Sequence, residues 1–173
     1  MKKMYDRYGP ADWKAGFERS SVVVEKIKAI LGERLLSIES LGKGNDTTER
    51  LTDAERAASA KSEADWLIRY TNKAGAPVVQ MLEVSGSDWV KGESDIWVAW
   101  HKVVKAAQTF REDGLDTVFA LVYPKLGKIL VTSYTRSREL LENPALVRKI
   151  SMKDGVETYV VMSQASFKPI PLH

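Results

Sequence analysis

The stretch that decides the fold is SEADWLIRYTNKAGAPVVQMLEVSGSDWVKGESDIWVAWHKVVK, residues 62–105. It reads as strand, turn, strand, loop and helix. Asp65 opens the first of these strands, predicted over 65–70. NKAGAP (72–77) carries turn signals. Residues 78–85 are apolar on both faces apart from Gln80 and Glu83, the pattern of a central strand. A glutamate in such a run costs several kcal/mol unless it is paired or binds a cation. Asp65, at the start of the neighbouring strand, is the nearest candidate to share that burden. Residues 95–111 carry Ile96, Trp97, Trp100, Val103, Val104, Ala107 and Phe110, a wide apolar arc that predicts a helix mostly buried against the sheet. Trp97 and Trp100 are read there as core.

Upstream, residues 16–31 repeat apolar side chains at helical spacing through Phe17, Val24, Ile27 and Leu31. The preceding residues, 1–15, read as an irregular arm or a short helical turn. Residues 34–41 alternate loosely through Leu36 and Ile38 and predict a first strand. GKGNDTTERL (42–51) reads as a loop, and 52–60 as a short helix whose Thr52 and Glu55 fit a capping box.

Downstream, TVFALVY (117–123) is a buried strand, PKLGK a turn, and 129–134 a further strand. Residues 137–143 predict a short helix stopped by Pro144. The tail holds two β-like runs around Asp154-Gly155, a hairpin signal. KPIPLH (168–173) reads as extended or loose. No internal repeat or linker interrupts the chain. The expectation is one α/β domain over 1–173, with a central mixed sheet of four to five strands flanked by helices, and a C-terminal β-hairpin extension over 135–173.

Composition narrows the chemistry. The 173 residues contain no cysteine and only two histidines, His101 and His173. Disulfides, thiolate zinc sites, cysteine nucleophiles and histidine-rich metal sites are thereby excluded. Any bound metal takes oxygen ligands, which favours Mg²⁺ or Mn²⁺. The net charge of +3 permits phosphate contacts without demanding them. No stretch approaches the roughly 20 apolar residues of a membrane span. The N-terminus lacks a signal-peptide core, so the cytoplasm is the default expectation.

Carboxylates at the ends of adjacent strands form an oxygen cage for a divalent cation, and a lysine beside them can orient or deprotonate a water. With its upstream Asp65, its strand-end triplet Glu83-Val84-Ser85 and its element order, the chain resembles the PD-(D/E)XK nuclease-like superfamily. That superfamily includes restriction endonucleases and archaeal Holliday-junction resolvases. The resemblance covers roughly 16–134. It implies a restriction endonuclease-like core and metal-dependent hydrolysis of DNA, with Asp65 and Glu83 on Mg²⁺ or Mn²⁺. It also implies a further acid from the first helix, Glu18 in GFERSS, with Glu25 as the alternative. Many members of the superfamily act as dimers, so a homodimer is possible.

The family's lysine position falls on Ser85, and no proline precedes Asp65. In some members the lysine comes from the following helix. Here that is Lys102, with His101 or Lys105 as substitutes. Trp89 and Lys91 in the loop, and Lys125, Lys128, Arg136 and Arg138 beyond it, are the candidate DNA contacts. Each reading has a plainer one beside it: Asp65 as a turn cap, Glu83 as a core acid paired to a cation, Glu18 and Lys102 as solvated helix residues, and the basic residues as a solubilising surface. The alternative function is a nuclease-like module that binds nucleic acid or protein without cleaving.

Overall fold

The computed structural model describes residues 10–41, 64–152 and 155–173. The predicted loop at 42–51, the predicted capping-box helix at 52–60 and Asp154 of the predicted hairpin turn lie outside the described residues.

The first helix, α1 (Pro10–Leu31), begins earlier than the apolar stripe suggests, inside the predicted arm. A proline suits a helix's first position, where its missing N–H would have no partner anyway. Strands β1 (Leu35–Ser40), β2 (Trp66–Thr71) and β3 (Pro77–Gly86) follow as an antiparallel meander. The β2–β3 turn is fastened by Asn72, whose Oδ1 accepts the N–H groups of Ala74 (2.9 Å) and Ala76 (3.0 Å). Gly75 supplies the positive φ of +81° there.

Residues 96–99 correct the helical reading. They form β4 (Ile96–Ala99), and helix α2 (Trp100–Asp113) starts only after it. Ile96 (0% exposed) and Val98 (2%) point inward while Trp97 (45%) points out, a period of two rather than 3.6. The partner strand, far off in sequence, is what makes the segment extended: Ile96 pairs with Met162 and Val98 with Val160. Trp97 therefore packs at a tilt against Tyr159, ring centroids 5.5 Å apart, instead of entering the core. Trp100 does pack against the core, as read.

Strand β5 (Asp116–Tyr123) lies parallel to β3, and β6 (Lys128–Ser133) antiparallel to β5. Helix α3 (Tyr134–Leu141) starts directly after β6, before its predicted position. Strands β7 (Val147–Met152) and β8 (Gly155–Met162) pair as the expected hairpin. The residues read as loose form β9 (Lys168–Pro171), which pairs with β6.

The result is a six-stranded mixed sheet ordered β1-β2-β3-β5-β6-β9, flanked by helices, and a second sheet ordered β4-β8-β7. The first sheet exceeds the expected four to five strands because the tail adds β9 to its edge. Val23, Ile27 and Leu31 of α1 cover one face, over Ile68, Leu82, Val84, Ala120, Val122 and Ile129. Val103, Ala106 and Ala107 of α2 cover the other, over Phe119, Leu121, Tyr123 and Leu130. The second sheet closes that layer through Ile96, Val98, Val160 and Met162. No helix among the described residues is long and apolar enough to cross a membrane.

Candidate active site

Strand alternation selects the side chains at the carboxyl end of β3. Leu82 and Val84 pack beneath α1, so Glu83 and Ser85 face the α2 side. The antiparallel register pairs Trp66 with Leu82, which brings Asp65, just ahead of β2, opposite Glu83. Trp66, Ile68 and Tyr70 belong to the α1 side, so the same alternation assigns Asp65 to the face of Glu83.

Asp65 is fixed from two sides. Its Oδ2 accepts the N–H of Val84 at 2.7 Å, continuing the ladder past the end of β2 with a side chain in place of a backbone carbonyl. Its own carbonyl accepts the N–H of Leu41 at 3.0 Å. Glu83, 9% exposed, forms an ion pair with Lys102 Nζ from the first turn of α2. The pair sits between the sheet and the helix. Glu83 is thus a buried carboxylate with its cation supplied, as its place in an apolar strand requires.

The structure does not bring Glu18 to this pair. Its side chain is 62% exposed and lies 3.8 Å from Lys14 on the outer side of α1. Glu25 is likewise exposed and pairs with Lys28 at 2.9 Å. The helix residue that turns toward the site end of the sheet is Arg19. Its guanidinium lies 3.3 Å from Asp88 Oδ2, just past β3. Burial pushes the Tyr123 phenol at the end of β5 up to about 12, and the nearby Arg19 charge opposes that rise. The sequence carried a signal for Arg19: it precedes Val23 and Ile27 at i,i+4 spacing on the buried stripe.

His101, next to Lys102 in the first turn of α2, reaches solvent with part of its ring shielded. Its pKa is lowered, first by partial burial of the ring and then by the Lys102 charge, with Glu157 opposing. Lys105 lies one turn further along the same helix.

The candidate DNA contacts divide. Lys125 and Lys128 sit at the β5–β6 turn, at the end of the sheet where Glu83 lies. Trp89 and Lys91 belong to the exposed loop that leaves β3 at that same end. Arg136 and Arg138 are elsewhere. They ride on α3, whose first turn is tied to Asp116 at the beginning of β5 through Thr135 (3.0 Å from its N–H). Arg138 is occupied by Glu142 at 3.2 Å and by the face of Tyr134.

Chemically, the site offers two carboxylates, an ammonium and a serine hydroxyl. Among the described residues no cluster of three or more His, Cys, Asp or Glu is positioned to hold a metal. A pair of carboxylates still fits Mg²⁺, which commonly takes one or two and completes its octahedron with waters and substrate phosphate.

These features define a mixed α/β sheet with an acid pair at the ends of two adjacent strands. No family model and no curated protein matches the chain. Solved structures do. One is Hjc, a Holliday junction resolvase from Archaeoglobus fulgidus, with 11% identity, a TM-score of 0.46, and 91% of this chain and 90% of that one covered. Another is a nuclease from a fusselovirus, with 16% identity, a TM-score of 0.46, and 87% and 80% covered.

Proposed function

We propose that this chain is a nuclease that hydrolyses DNA phosphodiester bonds, with Asp65 and Glu83 holding Mg²⁺ or Mn²⁺. The observation that carries the reading is the register that sets Asp65 opposite Glu83, with Lys102 paired to Glu83 from the helix above. When bound, the cation would activate a water and offset charge developing on the phosphate. Asp65 enters that role already oriented, because the Val84 N–H holds its carboxylate. Lys102 pairs with the Glu83 carboxylate and brings an ammonium that can turn to a water or a phosphate oxygen. Ser85 stands at the position where the superfamily carries its lysine and contributes a neutral hydroxyl, which leaves Lys102 as the charge that replaces it. Lys125 and Lys128 hold the DNA backbone at the same end.

A second reading, a DNA-binding module that does not cleave, is favoured by Ser85 and by the completeness of the Glu83–Lys102 pair. One assay separates the two. The purified protein is incubated with plasmid, single-stranded and branched DNA in Mg²⁺, Mn²⁺ or EDTA. Cleavage that needs metal and disappears in Glu83→Gln supports the nuclease. Salt-sensitive binding without cleavage supports the module. If the protein neither binds nor cleaves, both readings are wrong.

A further inference from the structure

Trp89 is 86% exposed, far more than any other large hydrophobic side chain described. Trp66 and Trp100 pack on the two core clusters, and Trp97 leans on Tyr159. Trp89 does not hang on a slack loop. Ser87 donates its N–H to Val122 at 3.1 Å, and its Oγ accepts the N–H of Trp89 at 3.1 Å. Asp88 is tied to Arg19 of α1 at 3.3 Å. Farther along, Gln164 of the C-terminal tail donates from Nε2 to the carbonyls of Gly92 (2.8 Å) and Ser94 (3.1 Å). Three separate parts of the molecule, β5, α1 and the tail, thus hold a loop whose largest side chain faces water, while its neighbour Val90 packs on the core. Leaving an indole exposed forfeits the free energy of burying it. Anchoring the segment that displays it adds an ordering cost.

The indole also has a cationic neighbour. Lys125 Nζ lies 5.7 Å from the ring centroid. Lys125 is itself exposed, on a short helical turn between Pro124 and Gly127. An indole with an ammonium over one face and its other face turned to water matches one ligand chemistry closely: a nucleobase stacked on the open face with its phosphate near the lysine. A base inside a duplex is already stacked on both sides and cannot reach the indole. At about 3.3 Å per residue, the chain from Glu83 to Trp89 spans less than about 20 Å, so the two address the same stretch of DNA.

We propose that Trp89 and Lys125 form a stacking platform for an unpaired base adjoining the cleavage site, so that the preferred DNA carries single-stranded character there. The proposal rests on the nuclease reading and specifies its substrate. Platform stacking is sequence-tolerant and adds to backbone attraction instead of replacing it.

The test uses fluorescein-labelled oligothymidylate and a duplex of mixed sequence. Binding is followed by fluorescence anisotropy in EDTA over a range of salt. Trp89→Ala weakens oligothymidylate binding roughly 5- to 100-fold and leaves duplex binding within about twofold. Trp89→Phe restores most of the loss. Lys125→Ala lowers the salt dependence for both DNAs by about one phosphate contact. Trp89 is exposed, so an unchanged melting temperature is expected and checks that the variants are folded. If Trp89→Ala binds oligothymidylate as the wild type does, or loses both DNAs equally, the platform is wrong even if metal-dependent cleavage is present. If the wild type binds neither DNA, the platform and the nuclease reading fall together.

Discussion

Lys102, in the first turn of α2, forms an ion pair with Glu83 near the carboxyl end of β3. The contact joins a helix on that side of the sheet to the strand that carries the acid, across a layer where apolar contacts otherwise dominate. Everything proposed for the site depends on it, because it decides whether a cation stands where Ser85 leaves none.

The pair itself is measurable. Glu83 and Lys102 side chains retain 11% and 25% exposure, so neither charge is well solvated by bulk water. Lys102→Met leaves the carboxylate without its partner and costs about 1–3 kcal/mol. Glu83→Gln costs less, since the lysine can extend to water. In a double-mutant cycle by urea denaturation, the two changes couple by on the order of 1 kcal/mol. Additive losses would show that the pair does not hold the helix to the strand.

Gly86 marks where β3 leaves the sheet. Its φ is +151°, and a Cβ added there would lie 2.0 Å from the carbonyl oxygen of Val122. Gly86→Ala therefore requires β3 and β5 to separate at the site end, at a cost of roughly 2–4 kcal/mol. Equilibrium unfolding gives the loss, and any surviving cleavage should fall with it. A variant as stable as the wild type would contradict the close approach.

His101 gives a pH dependence with a definite sign. Its pKa lies below the ordinary 6.5, chiefly because its ring is partly buried and also because Lys102 is adjacent. The unfolded chain therefore binds the proton more readily than the folded one. This contribution to stability is present above pH 6.5 and is lost as pH falls through the window below it. His101→Gln should lose less melting temperature than the wild type between pH 7 and pH 5.5. Proton NMR of the ring should show a midpoint below 6.5; one at or above 6.5 would overturn the assignment.

The β4 segment tests the second sheet. Ile96 is fully buried against the C-terminal hairpin. Ile96→Ala should cost about 2–5 kcal/mol and weaken amide protection in β8 as well as β4. Loss of protection confined to β4 would mean that the two strands do not act as one unit.

Strands β2, β3 and β5 were legible in the sequence because each carries its own pattern: an apolar run, a turn with Asn and Gly, and a punctuating Gly114. That Glu83 needs a partner was legible for a related reason, and Lys102 is that partner. A glutamate in a run like MLEVS has few structural explanations. What escaped was non-local. The alternation of Ile96 and Val98 spans too few residues to outweigh the helical arc that follows, and only Val160 and Met162, distant in sequence, reveal it as a strand. The same holds for β9, whose Pro169 and Pro171 suggest a loose end until β6 offers an edge. On α1, both Glu18 and Arg19 were visible as charges. The spacing to Val23 favoured the arginine, but the resemblance drew attention to the acid.

The most direct test of the account is cleavage of supercoiled and single-stranded DNA by the wild type, Glu83→Gln and Lys102→Met, in Mg²⁺ or Mn²⁺ and in EDTA. Circular dichroism confirms that each variant is folded. The account predicts metal-dependent cleavage by the wild type, none in EDTA, and a loss of roughly 100-fold or more in both folded variants. Undiminished cleavage in the folded variants, or no cleavage by the wild type with either metal, would contradict it.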